Sequence, residues 1–243
     1  MEPINRESRT SVHFQLGLVI ACPWTTESAR TVELQKAMLD QGLEFGQTNT
    51  RPGSFVLTRG EPSHLQVKFE TPGPQLTGIQ ILANNPSYDV DLFCRDGSAV
   101  LSAYRQIFPV EHLLIIQATA RIHHLYSSQA HAFQYLWETR LNQSGQDFRC
   151  LGNRPVAGGG LRLLIPPHAI GTEEPRSIEI RIESFLLEQR KLLVDTLFVW
   201  PKPRPITADQ KIEPESYLQP VEQFASNEVW TFLTQPRPGE TPA

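Results

Sequence analysis

The sequence predicts an α+β protein. Internally duplicated β-α-β-β-β-β-α units share one curved antiparallel sheet, with helices on one face. Three observations lead there. The stretches 15–45 and 117–148 follow the same order: an apolar strand, an aromatic residue (Trp24; Tyr126), a hydroxyl pair (Thr25 and Thr26; Ser127 and Ser128), a helix, then a Gln (Gln41; Gln143). Repeats of this kind set the architecture before any single element does. Two later stretches alternate strictly, Leu65, Val67 and Phe69 in one and Ile178, Ile180 and Ile182 in the other, which is the period of a half-buried strand. The connections between consecutive strands are short, which favours antiparallel pairing.

In chain order, residues 1–11 are polar and are expected to be disordered. Residues 13–22 form a strand poor in charge, stopped by Pro23. Thr25 or Thr26 supplies the hydroxyl that caps a helix whose stripe is Val32, Leu34, Ala37, Met38 and Gln41. Strands follow at 54–58, 64–70 and 76–82, the last ended by Asn84, Asn85 and Pro86. Residues 89–108 read as helix through Val100, Tyr104, Ile107 and Phe108, with Gly97 a break and Asp96 a cap for a shorter version.

Pro109 separates the repeats, and the second begins with a strand over 112–126. The next helix, 130–141, places Ala130, Phe133, Leu136, Trp137 and Leu141 on one side, and a strand restarts near Phe148. NRPVAGGG at 153–160 is loop or hairpin, since phosphate cradling requires a following helix. Strands at 161–165, 177–185 and 191–200 follow, then an extended PKPRPI and a helix over 215–233 bearing Leu218, Val221, Phe224, Val229 and Phe232. The domain reading is a first α+β repeat over 12–108, a second over 109–234, and a disordered tail over 235–243.

Composition narrows the class. A net charge of −4 gives no bulk attraction to nucleic acid or anionic lipid. No apolar run is long enough to cross a membrane, and the first residues lack the apolar core of a secretory leader. Cys22, Cys94 and Cys150 are odd in number and widely spaced, which suits a reduced, cytoplasmic protein.

Candidate sites are few. His123, His124 and His131 form the one histidine group that could line a pocket, but adjacent strand residues face opposite sides, so a shared metal is not expected. Ser127 and Ser128 read as helix caps rather than nucleophiles, because Thr25 and Thr26 hold the matching place without a histidine. Arg181, Arg190 and Lys191 could bind an anion, although Glu179 and Glu183 on the same face oppose phosphate. The strand 191–200 is apolar on both sides: Leu192, Val194, Phe198 and Trp200 on one, Leu193, Leu197 and Val199 on the other, broken by Asp195. Such a strand is covered twice or offers surface to a partner. Leu193, Leu197, Val199 and Trp200 are therefore the candidate interface. No cofactor and no catalytic residue is expected.

The ARIHHLY strand, the IEIRIESF and KLLVDTLFVWPKP pair and the closing VWTFLTQ resemble a sporadically distributed, uncharacterised bacterial protein family. That family has no assigned catalytic residues, so the resemblance implies none here. The duplicated order is also similar to TATA-binding-protein-like repeats and to tandem ferredoxin-like proteins of CRISPR systems. The expected function is a non-catalytic interaction subunit or regulator of a bacterial multiprotein assembly, in a defence or toxin–antitoxin setting, with a protein partner or a second copy. The alternatives are a ligand-binding module or enzyme with a pocket near His123, His124 and His131, and RNA binding of a CRISPR type.

Overall fold

Ten strands join into one antiparallel sheet in the computed structural model, which describes residues 4–22, 28–61, 64–108, 112–168 and 174–235. They are β1 (Ile4–Ile20), β2 (Gln47–Arg51), β3 (Ser54–Thr58), β4 (Leu65–Gly73), β5 (Leu76–Asn84), β6 (His112–Ser128), β7 (Gly160–His168), β8 (Arg176–Ser184), β9 (Lys191–Trp200) and β10 (Arg204–Thr207). The order across the sheet is β2-β3-β4-β5-β1-β6-β9-β8-β7, and β10 pairs with the start of β6. The two long strands β1 and β6 meet at the centre, with Leu16 opposite Ala120 and Phe14 opposite Ile122. Mixed helix and strand with a large antiparallel sheet is the α+β class that the alternating stretches indicated.

Alternation fixes the two faces. Phe14, Leu16, Leu18 and Ile20 of β1 are buried, as are Ala118, Ala120 and Ile122 of β6 and Leu192, Val194, Phe198 and Trp200 of β9. Helices cover this face. They are α1 (Ser28–Asp40), α2 (Val90–Ile107), a short α3 (Ala132–Gln134) running into a π-helix (Tyr135–Arg140), α4 (Glu215–Phe224), a second π-helix (Ala225–Val229) and α5 (Trp230–Thr234). Ring contacts locate them: Phe93 of α2 on Phe14 at 5.5 Å, Tyr217 and Phe224 of α4 on Trp200 and Phe198 at 5.2 and 5.4 Å, and Trp230 of α5 on Tyr126 at 5.2 Å. One apolar cluster runs from β3 across the centre to α4, and a second gathers Ile4, Tyr126, Tyr135, Ile182 and Leu192 under the last helices.

Several sequence expectations change. β1 starts at Ile4, a fully buried residue, so residues 4–11 form strand rather than a frayed end. The helix α2 runs unbroken through Gly97, because the glycine admits Pro214 of the α4 approach; a Cβ there would lie 3.1 Å from Pro214 Cγ. Asp89, not Asp96, caps it by accepting from the Leu92 N–H at 3.0 Å, and Asp96 pairs with Arg59. Val32 is exposed while Leu34, Ala37 and Met38 are buried. The proposed caps Thr25 and Thr26 and the tail 236–243 lie outside the described residues.

The region from 127 to 151 departs further. Ser127 and Ser128 belong to β6, and His131 is the cap of α3, its Nδ1 accepting from the Phe133 N–H at 3.2 Å. Ala130 is exposed. Phe148 lies in a 3₁₀-helix (Gly145–Leu151) instead of a strand. It packs there on Trp137 at 4.6 Å.

Candidate interaction site on the open sheet face

The face opposite the helices is laid out by register. One cross-strand row runs Asn84 (β5), His13 (β1), His123 (β6), Asp195 (β9), Arg181 (β8) and Arg162 (β7). The next row holds Gln15, Arg121, Leu197 and Glu179. Polar residues converge here because each strand is half-buried and its second side chain set need not be apolar.

Asp195 is the hub. Arg121 donates to it through Nε at 2.7 Å and through Nη2, a two-pronged grip. The His123 Nε2 lies 3.2 Å from the same carboxylate. Burial opposes the charge on Asp195, yet Arg121 and His123 beside it hold its carboxyl well below the usual carboxylate range. His13 packs against His123 with ring centroids 4.6 Å apart and the rings tilted by 34°, and its Nδ1 stands 2.7 Å from the Asn84 Oδ1. Burial, with the nearby His123 and Arg121 charges, lowers the His13 pKa, against the Asn84 hydrogen bond.

The outer strands carry a second charge cluster. Glu179 accepts from Arg162 at 2.8 and 3.1 Å and from Arg181 at 2.6 Å. Leu193, Leu197 and Val199 of β9 stand on the same face, half-buried, on either side of Asp195. In the middle, Gly17 and Gly78 leave a shallow trench; a Cβ on Gly17 would meet the Thr119 Oγ1 at 2.5 Å.

Of the residues singled out from sequence, Leu193, Leu197 and Val199 share this face. Trp200 does not: it is buried against Tyr217, so it belongs to the core. The three histidines occupy three different places. His123 faces the open side. His124 is fully buried under α4, 3.0 Å from the Glu222 Oε2. Glu222 is bound in turn by Arg9 at 2.7 Å and Ser226 at 3.0 Å; burial works against its charge, but His124 first, then Arg9 and Ser226, draw its pKa down to about 2. His131 lines a separate cavity of about 540 Å³ with Phe133, Trp137, Phe148, Glu138 and Arg149. Among the described residues, no group of three or more His, Cys, Asp or Glu side chains could hold a metal ion. Arg181 is held by Glu179, Lys191 by Glu188 at 3.0 Å, and Arg190 sits exposed in the turn between β8 and β9.

Sequence reasoning passed over His13, Arg121 and Glu222. A signal existed for the Asp195 partner: a lone carboxylate in an apolar strand requires a cation. Nothing local identifies it, since Arg121 is 74 residues away. No protein-family model matches the chain, and no curated protein matches it in sequence.

Proposed function

We propose that the protein is a non-catalytic interaction subunit or regulator of a bacterial multiprotein assembly, in a defence or toxin–antitoxin setting. A partner protein docks on the open sheet face beside Leu193, Leu197 and Val199. One observation carries this reading: the apolar residues of β9 stand half-exposed in a surface whose arginines are already paired with carboxylates. Arg121, Arg162 and Arg181 are all held by Asp195 and Glu179. A face that tracked nucleic-acid phosphates would need those cations free. The partner suited to it is an uncharged, hydrogen-bonding protein surface, with apolar side chains to set over Leu197 and Val199.

The strand order supports two repeats as the origin of this face. Outward from β1 the neighbours are β5, β4, β3 and β2; outward from β6 they are β9, β8 and β7. Each set runs outward in reverse chain order, and each half opens with the strand that meets its counterpart at the centre; the second half adds β10, which pairs with the start of β6.

Leu197→Asp and Val199→Asp test the reading. Circular dichroism and thermal melting are expected to stay those of the native fold. Native mass spectrometry of the protein purified from its own host is expected to show a partner chain, lost in both variants. If both substitutions unfold the protein, the face is core and the reading is wrong. A second reading, a small-molecule module, is favoured by the cavity beside His131, whose size suits a ligand. It requires a bound small molecule that Trp137→Ala removes.

A further inference from the structure

The two edges of the sheet are built differently. β2 reads QTNTR and is polar throughout. β7 reads Leu161, Arg162, Leu163, Leu164, Ile165 before Pro166, and Leu163, Leu164 and Ile165 are 36%, 65% and 40% exposed. A long apolar edge is a template for another strand, and natural edges are blunted by free charge, proline or a bulge. The charge in this run is spent on Glu179, and the prolines stand only at its end. The position that β2 fills beyond β3 has no described strand beyond β7.

The backbone direction follows from one bond. The Ser184 N–H donates to the Gly159 carbonyl at 3.0 Å, so Gly159 faces β8. Alternation then turns Leu161, Leu163 and Ile165 toward β8, and turns the N–H and C=O groups of Gly160, Arg162 and Leu164 toward the free edge. Pro166, next in that alternation, brings no N–H and ends the pairing.

We propose that β7 is a self-association edge, paired antiparallel with β7 of a second copy about a twofold axis at Leu163. The proposal does not depend on the open-face reading. In this register Arg162 lies opposite Leu164 of the second copy, and both turn their backbone groups into the seam. Leu163 meets its own counterpart, and Leu161 meets Ile165. These are apolar pairs on the face that Ile178, Ile180 and Ile182 continue. No like charges stand opposite one another. Of the two neighbouring registers that also match the outward groups, one sets Arg162 against Arg162, which like-charge repulsion disfavours, and the other sets Arg162 against Pro166, which has no N–H to give, so the seam loses backbone bonds. The exposed Leu186 lies over Gly158, where a Cβ would be 2.4 Å from its Cδ2. The register brings Pro167 of the second copy level with Gly159, so Leu186 gains an apolar neighbour at each end of the seam. This self-complementarity is why a second copy, rather than an unrelated strand, is the occupant.

Light scattering is expected to give twice the 27.5 kDa mass of one chain in the micromolar range, and Leu164→Lys is expected to return it to a folded single chain with native circular dichroism and a melting temperature that, unlike that of the wild type, does not depend on protein concentration. The register is read by crosslinking. Paired residues whose backbone groups turn away from the seam have Cα atoms about 4.5 Å apart, within disulfide reach. Leu163→Cys, with Cys150→Ser to remove the exposed thiol, is expected to give a covalent dimer under mild oxidation, and Arg162→Cys in the same background is not. A wild-type chain that stays single at all concentrations, a mass above two chains, or a dimer that survives Leu164→Lys overturns the proposal. So does a dimer in which Leu163→Cys fails to crosslink.

Discussion

Replacing Asp195 by Asn keeps the size of the side chain and removes the charge that organises the open face. Arg121 then keeps one weakened acceptor, with His123 and His13 nearby. Breaking a fully buried pair from one side costs about 3–5 kcal/mol. Here the Asp195 side chain is 7% exposed but that of Arg121 is 28% exposed, so water recovers part of the loss, leaving about 2–3 kcal/mol. For a chain of this length that is a fall in Tm of roughly 5–10 °C. Paired urea and thermal melts of wild type, Asp195→Asn, Arg121→Met and the double variant measure it. The double variant is expected to be less destabilised than the two single losses added, because it strands no charge. Acid adds a signed test. The Asp195 carboxyl is depressed in the folded state, so its contribution is present above the unfolded value of about 3.9 and fades as pH falls toward the folded one. The gap between wild type and Asp195→Asn should therefore close below about pH 4. A Tm within about 1 °C of wild type at neutral pH, far below the shift that scaling gives, or strictly additive losses, would refute the role given to this carboxylate.

The Glu222 contact makes a parallel claim on the helix side. Its carboxyl is drawn down to about 2, so Glu222→Gln should lose about 1–3 kcal/mol at neutral pH and flatten the stability curve between about pH 4 and 2; urea titrations at two pH values check this, and parallel curves would count against it. Thiol labelling should be selective. Cys150 is exposed, Cys22 and Cys94 are buried, and burial together with the Glu215 charge pushes the Cys94 thiol up to about 12. One thiol per chain should react quickly in the native protein and three after denaturation.

The sequence made the class and most strands readable because half-buried strands leave a period that no distant contact is needed to see. Leu65, Val67 and Phe69 point inward as their spacing requires, as do Ile180 and Ile182. Errors fell where a remote partner decides. Gly97 reads as a helix break until Pro214 is seen against it. Trp200 reads as an interface anchor until Tyr217 covers it. The segment 135–140 takes a π-helical form that no local periodicity announces. The site was legible only in part. Leu193, Leu197 and Val199 stood out as a second apolar side, whereas the row from Asn84 to Arg162 exists only once six strands have been set in register.

The pairing of β1 with β6 at the middle of the sheet has a cost in time. One edge of β1 can be met by β5, but the other waits for residues 112–128, and its ion pair from Arg9 to Glu222 spans 213 residues. At a synthesis rate of about 5–20 residues per second, roughly 10–40 s separate the appearance of those two side chains. For roughly the first half of that interval, until residues 112–128 appear, a nascent chain carries the apolar strand of Phe14, Leu16 and Leu18 with an unsatisfied flank. Ribosomes translating the same message in file would hold several such flanks near one another, so the yield of native protein should depend on how closely they follow and on holdase chaperones that shield the strand until β6 emerges.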